Sequence, residues 1–284
     1  MNKKGFHTLE KFVDEFGPDK VLYVMSHPDK NVDKDYYDEI IALCGKCNIK
    51  FHAKSDNYTL GEAHTFVIGW RWMIKSLDKF YVLHDSLLPK YRGFTPLVSC
   101  LLNKENYLGV TCILSEMEYD RGNIIRQLKT KISYPIKIRE AIDIICPMYS
   151  KLVNAIYRDL SAGKKLPGKK QDETKATYSV WRDEEDYHIN WNDSSDCIQR
   201  FVDAVGYPYH GAYSEIDGRM LRITDVEIRP DCKIENRDPG KVLFIEDGMP
   251  VVICGSGLLK IREAYFDDLS ESLAHFKKFR TRFR

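Results

Sequence analysis

The chain lacks any run approaching the roughly 20 uninterrupted apolar residues that a membrane-spanning helix requires. Its first residues, Met1 to His7, carry two lysines with no apolar stretch behind them, so no secretory signal is read there. A cytoplasmic address follows as the expectation, with no membrane partner. Net charge is nearly absent too: 43 Lys+Arg against 42 Asp+Glu leave +1. The charge is unevenly spread, however. From Trp181 onward 20 acidic residues face 15 basic ones, a balance of −5, and the part before it carries +6. An acidic back half suits nucleic acid poorly, because that ligand is held by neutralising its phosphates. No nucleic acid is expected as a partner.

Metal-ligand clusters are equally scarce. Eight cysteines are scattered along the chain, most of them in apolar runs where a free thiol behaves as a small hydrophobe. One pair, Cys44-Gly-Lys-Cys47, has the spacing of redox and zinc sites. A redox pair places its first thiol at a helix N-terminus, whereas this one follows Ile40-Ile-Ala-Leu43 and reads as a helix end. Zinc would need two more ligands, and no second pair exists. Structural thiols and no metal are the reading. Internal repeats and low-complexity tracts are missing as well.

What the chain does contain is a globular balance, 43% hydrophobic and 30% charged, over 284 residues, enough for one large domain or two ordinary ones. The first half alternates helical and strand-like segments, as α/β proteins do. Helices are predicted over Thr8–Phe16, Tyr36–Leu43, Pro96–Leu102 and Lys137–Leu160. Strands are predicted over Val21–Met25, Ile49–Phe51, Thr65–Ile68, Phe80–Leu83, Val110–Leu114 and Ile124–Ile132. From Ser161 to Lys175 the composition shifts to Gly, Lys, Pro and polar residues, which reads as a linker. Beyond Tyr178 short β-rich segments are separated by Asp217-Gly218, Asp247-Gly248 and Gly255-Ser-Gly257, suggesting a small barrel of which the OB type is one option. The expected division is 1–163, a linker over 164–178, and a second domain over 179–284.

An open parallel sheet gathers its ligand crevice at the carboxyl ends of its strands. Two polar segments lie just there. Leu83-His-Asp-Ser-Leu-Leu-Pro-Lys-Tyr-Arg-Gly93 begins where a buried strand ends, and Glu118-Tyr-Asp-Arg-Gly122 sets Asp120 between two strands. Each alone reads equally well as structural hydrogen bonding or a solvated turn.

Together they resemble the folate-dependent formyltransferases, which share His-x-Ser-Leu-Leu-Pro-x-Tyr-Arg-Gly, then Gly-Val-Thr, then Asp-x-Gly. Here these are His84 to Gly93, Gly109-Val-Thr111 and Asp120-Arg-Gly122, with His and Asp 36 positions apart. Gln171-Asp-Glu-x-x-Ala-Thr-Tyr178 is similar to the family's interdomain segment. Ile189-Asn-Trp191, Pro208 to Ala212 and Gly257 to Ile261 are similar to its C-terminal domain. The resemblance implies a Rossmann-like parallel-sheet formyltransferase domain followed by a small OB-like β domain, with 10-formyltetrahydrofolate as co-substrate and no metal.

Chemistry gives the matched residues roles. An attacking amine must lose a proton, for which imidazole is well suited, and a carboxylate orients that ring. His84 and Asp120 are therefore the expected catalytic pair, with protonated His84 a donor to the oxyanion. Folate contacts are expected from Ile68, Gly69 and Trp70, from Ser86, Leu87, Leu88 and Pro89, and from Asp120. Trp70 and Trp72 read equally as packing residues.

Two departures stand out. The family's asparagine two positions before the histidine, a donor to the formyl oxygen, is Val82 here, and Asp85 stands where many relatives carry proline. The family's opening strand is also missing ahead of the first helix. For the acceptor, a nucleotide-linked amino sugar, dTDP-linked by resemblance to the sugar enzymes, is expected, as in lipopolysaccharide O-antigen synthesis. The alternatives are a methionyl-tRNA formyltransferase, disfavoured by the acidic back half, and a non-catalytic folate- or nucleotide-binding relative, suggested by Val82. Phe276, Phe279 and Phe283 offer either a homodimer surface or packing within their own domain.

Overall fold

Leu9, Phe12, Val13 and Phe16 recur at helical intervals, and α1 (Asn2–Phe16) turns them onto one face. The computed structural model describes residues 2–55, 63–72, 79–267, 271–272, 276 and 278–284. In it α1 starts six residues before the predicted helix, because Lys4 and Thr8 are buried and the Thr8 hydroxyl donates to the Lys4 carbonyl at 2.7 Å. Tertiary packing extends the helix past its apolar pattern.

Two units divide the chain: Met1–Cys100, Glu105–Ile132 and Glu140–Trp181 form the first, and Leu101–Lys104, Ser133–Arg139 and Arg182–Arg284 the second. In the first, β1 (Val24–Ser26) leads to α2 (Tyr37–Lys46) and to β2 (Phe51–Ala53), which pairs parallel with β1. α2 buries Ile40 and Cys44 beside Ile49, and this cluster takes in Leu9 and Val13 of α1. The cysteine pair thus ends a helix in an apolar cluster, and burial pushes the Cys44 thiol up to about 11. That environment suits a packing thiol and not a redox one.

Next come β3 (Thr65–Ile68) and β4 (Phe80–His84), paired parallel from Thr65 opposite Phe80 to Ile68 opposite Leu83. The short β5 (Arg92–Gly93) and α3 (Pro96–Leu102) precede β6 (Tyr107–Leu114) and β7 (Ile124–Lys131). β6 runs antiparallel to both β4 and β7, giving the order β3-β4-β6-β7. Among the described residues no ladder joins this sheet to β1–β2. The layer is thus α/β with parallel pairs and an antiparallel flank. α4 (Ile138–Ser161) buries Ala141, Ile145, Leu152 and Ile156 at helical spacing, and Phe12 meets its Tyr157 edge-on at 4.8 Å.

The stretch read as a linker is tied to the first unit. β8 (Tyr178–Ser179) pairs parallel with β5, and Lys169 exchanges backbone hydrogen bonds with Ile124. Gly/Lys/Pro-rich composition signalled irregular backbone, and irregular backbone is what lies there, held in place.

In the second unit α5 (Ser195–Val205) has no counterpart in the sequence reading. Ser194 caps it by accepting from the Cys197 N–H, and Ile198, Val202 and Val205 form its buried stripe. The six-stranded sheet comprises β9 (Ala212–Ile216), β10 (Arg219–Arg229), β11 (Val242–Glu246), β12 (Met249–Ile253), β13 (Leu258–Phe266) and β14 (Glu271–Ser272), all paired antiparallel. Asp217-Gly218 and Asp247-Gly248 are the two-residue hairpin turns read from sequence, each with both φ values positive, as such turns require. In the tail Phe276 and Phe283 are buried, Phe283 against Trp191, while Phe279 is 53% exposed.

Candidate functional site

β4 delivers His84 to a cavity of about 170 Å³, large enough for a ring-sized group. Val67, Val82, Leu83 and Ile113 give it an apolar floor, and Gly69, Trp70 and Trp72 line one side. The two tryptophans meet at 68° with centroids 4.9 Å apart, and the Lys54 ammonium stands 3.5 Å over the Trp72 ring. Phe94 and Tyr119, tilted at 5.8 Å, also belong to its lining.

His84 is buried with both ring nitrogens engaged. Nε2 lies 2.7 Å from the Tyr91 carbonyl, which only accepts, so this nitrogen carries the proton. Nδ1 faces Asp120 Oδ1 at 3.5 Å. The other Asp120 oxygen accepts the Gly93 N–H at 2.8 Å. The expected catalytic pair is thereby brought together on one wall of one cavity.

Local backbone explains the motif around them. Tyr91, Thr95 and Asp120 all have left-handed φ, at 61°, 45° and 55°. Such φ values are uncommon outside glycine and must be held by surrounding contacts. Those contacts are visible. Tyr91 N–H donates to the Thr177 hydroxyl and Arg92 N–H to the Thr177 carbonyl, while Asp120 is fixed from the far side of the chain. Gln171 donates to the carbonyls of Asp120 at 2.7 Å and Gly122 at 2.8 Å. Arg92, fully buried, donates to the Gln171 side-chain oxygen at 2.9 Å and holds Glu173 as a bidentate pair.

The expected folate contacts divide into two groups. Gly69 and Trp70 line the cavity beside His84 and Asp120, and Ile68 ends the strand just before them. Ser86, Leu87, Leu88 and Pro89 do not line it. Ser86 and Leu88 are buried in a tie to β6: the Ser86 hydroxyl donates to the Lys90 carbonyl, the Thr111 hydroxyl donates to the Ser86 carbonyl, and Leu88 N–H donates to the Thr111 hydroxyl. The same tie explains Gly109, where an added Cβ would lie 2.3 Å from Leu87 Cδ2. The Ser-Leu-Leu-Pro and Gly-Val-Thr segments are one structural unit that holds the His84 loop.

Sequence reasoning missed three members of the site. Lys4 of α1 reaches the cavity, pairs with Asp85 and lies beside Tyr149 of α4, whose hydroxyl donates to Asp85. No periodicity or motif marks Lys4. Gln171 is marked in the sequence only by its place in the interdomain-like segment. Among the described residues no cluster of three metal-ligating side chains occurs, and no helix is long and apolar enough to cross a membrane.

Comparison with known proteins follows the same lines. Residues 71–140 match the family profile described as formyl transferase, and residues 182–273 match formyl transferase, C-terminal domain, together more than half the chain. The methionyl-tRNA formyltransferase of Caldanaerobacter subterraneus subsp. tengcongensis is 30% identical over 181 residues, which is 64% of this chain and 57% of that protein. That of Citrifermentans bemidjiense is 31% identical over 182 residues, 64% of this chain and 55% of the relative. The chain therefore spans little more than half the length of these curated relatives. Among solved structures, WlaRD, a sugar 3-N-formyltransferase crystallised with dTDP and 5-N-formyl-THF, superposes with a TM-score of 0.68 at 20% identity, covering 91% of this chain and 93% of its own. The N-formyltransferase of Helicobacter canadensis, in complex with folinic acid and dTDP-3-aminofucose, gives 0.66 at 20%, covering 91% and 95%. At that identity the likeness speaks for the fold.

Proposed function

The chain belongs to the formyltransferase family, and on that premise we propose that it moves a formyl group from 10-formyltetrahydrofolate to the amine of a nucleotide-linked amino sugar, with dTDP as the nucleotide. The observation that carries the reading is the meeting of His84 and Asp120, 36 positions apart, on the wall of one cavity. Residues 1–163 are assigned as the catalytic domain, 164–178 as its connecting segment and 179–284 as the C-terminal domain.

The transfer joins the acceptor nitrogen to the formyl carbon and breaks the bond from that carbon to folate N10. The acceptor amine loses a proton and N10 gains one. Folate supplies the activated formyl group, and the cavity suits it: Trp70, Trp72 and the apolar floor offer a face to a flat ring. His84 is placed to take the proton at Nδ1, because Nε2 is committed to the Tyr91 carbonyl. Asp120 orients the ring and stabilises the imidazolium that results.

Two considerations support a sugar acceptor over tRNA. Among solved structures the sugar enzymes superpose with TM-scores of 0.68 and 0.66 over 91% of this chain, whereas the methionyl-tRNA formyltransferase of Clostridium thermocellum superposes with 0.51 over 74% of it. The back half, at −5, also lacks the positive charge that a polyanion requires.

The test is release of tetrahydrofolate from 10-formyltetrahydrofolate, followed with a dTDP-linked amino sugar and, separately, with methionyl-tRNA. Sugar-dependent release is expected. Release with tRNA alone would replace the acceptor assignment, and tight folate binding with no turnover on either substrate would make the chain a binding protein.

A further inference from the structure

Lys4 is the least explained charge near the catalytic pair. Its side chain is 6% exposed and its partner Asp85 13%. The Asp85 carboxylate also accepts the Tyr149 hydroxyl, and the Lys4 ammonium stands 5.4 Å from the centre of the Tyr149 ring. Burying an ion pair costs heavily in desolvation, and well-packed apolar residues hold a fold at least as well. A pair kept at the wall of a catalytic cavity therefore invites a chemical use.

The cavity shows what use is open. Attack on a formyl carbon puts negative charge on the formyl oxygen, and that charge needs an aimed donor in a water-poor site. Val82, which lines the cavity, offers an isopropyl group and no hydrogen-bond donor. His84 Nε2 is occupied by the Tyr91 carbonyl. Arg71, the other cation of the lining, is more exposed and is paired with Asp29. Lys4 carries three N–H donors, one of them directed at Asp85.

We propose that the Lys4 ammonium, held in place by Asp85 and Tyr149, donates to the formyl oxygen and stabilises the oxyanion formed during transfer. It takes the part that a side-chain donor at position 82 would otherwise play. Asp85 and Tyr149 are positioning residues in this scheme: one fixes the ammonium by charge, the other fixes the carboxylate. The inference rests on the formyl-transfer reading of the cavity and adds to it the group that meets the developing charge.

The experiment pairs a binding readout with kinetics. Two stable folate analogues are titrated, 10-formyl-5,8-dideazafolate and 5,8-dideazafolate, which differ only by the formyl group. Wild type is expected to favour the formylated one, and Lys4→Met to lose that preference by about tenfold while binding the unformylated analogue as before. In the sugar-dependent assay kcat falls about 10²–10³-fold, as on removal of an oxyanion donor, with KM for the sugar little changed and KM for 10-formyltetrahydrofolate raised about tenfold in step with the lost preference. Adding Val82→Asn to Lys4→Met restores at least tenfold of the rate. If Lys4→Met does not fold, the charge-neutral pair Lys4→Met/Asp85→Asn is measured in its place.

Equal loss of affinity for both analogues would reduce Lys4 to a packing role. An unchanged preference and an unchanged kcat would overturn the proposal while leaving the folate reading standing. Wild-type protein that binds neither analogue would remove the folate reading itself, and this inference with it.

Discussion

Gln171 donates both hydrogens of its side-chain amide to the turn that carries Asp120, one of them to the Asp120 carbonyl at 2.7 Å. A residue 51 positions downstream thus holds the backbone that carries the Asp120 carboxylate. Arg92, beneath it, holds the Gln171 oxygen.

Removing this brace is expected to loosen Asp120 without touching the cavity. Gln171→Ala strands two carbonyls and takes an acceptor from a buried guanidinium, at a cost of roughly 1–3 kcal/mol per group left unsatisfied. The variant should show an earlier urea midpoint and a kcat about tenfold lower, with folate affinity held within a few-fold. A rate unchanged at full stability loss would show that the turn keeps its shape unaided.

Asp120→Asn tests the carboxylate itself. The amide oxygen can still accept the Gly93 N–H, which turns the amide nitrogen toward His84 Nδ1 as a donor. That donor would occupy the lone pair needed for the amine proton. A fall in kcat of about 10²–10⁴ is expected, the usual worth of general acid–base catalysis. His84→Ala should abolish transfer and leave folate binding largely intact. Turnover at the wild-type rate in either variant would take that residue out of the mechanism.

What the sequence made legible was local. The strand over Phe80–Leu83, the turns at Asp217-Gly218 and Asp247-Gly248, the histidine at the end of one strand and the aspartate between two others each follow from a few neighbouring residues. The rest depended on distant partners. β5 and β8 are two residues each, too short to show any alternation, and exist because 89–94 and 177–179 pair. Lys4 belongs to the site only because α1 brings it to Asp85, 81 positions along the chain, and nothing in its own neighbours records that. Ser86 to Pro89 fit the description of a pterin wall as residue types, but the ties of the Ser86 carbonyl and the Leu88 N–H to Thr111, 25 and 23 positions away, are not readable from neighbouring residues. α5 is masked in the sequence by the β-rich pattern around it, although Ser194 and the 198, 202, 205 spacing are its signals.

The two motif glycines offer a graded test. A Cβ at Gly122 would lie 1.7 Å from the Leu114 carbonyl oxygen, and backbone cannot step aside as a side chain does. At Gly109 the nearest atoms belong to Leu87, whose side chain can rotate, though its amide nitrogen is also within 3.1 Å. Gly122→Ala should therefore destabilise by about 3 kcal/mol or more, and Gly109→Ala by about 1–3 kcal/mol, as overpacking usually does. Denaturant unfolding of both variants checks the order. A Gly122→Ala protein as stable as wild type would mean that the Asp120 turn is free to shift.

The buried Lys4–Asp85 pair in the cavity wall gives the protein a defined acid response. Burial alone would push the Asp85 carboxyl up, but the Lys4 ammonium, its hydrogen bond and that of the Tyr149 hydroxyl outweigh burial and hold the group below its ordinary value of 3.8. A carboxyl depressed in the folded state stabilises fully above its unfolded pKa, and the contribution disappears as pH falls through the folded value. The window therefore lies below about pH 4. At neutral pH Asp85→Asn leaves Lys4 buried without a counter-charge, a loss of about 3–5 kcal/mol for a broken buried pair. Below the window the wild-type carboxyl is itself protonated and leaves Lys4 in the same position. The stability gap between wild type and Asp85→Asn, measured by urea unfolding from pH 6 down to pH 2.5, should accordingly be constant at first and then close. A gap that persists undiminished at pH 2.5 would mean that Asp85 contributes through its shape and not through its charge.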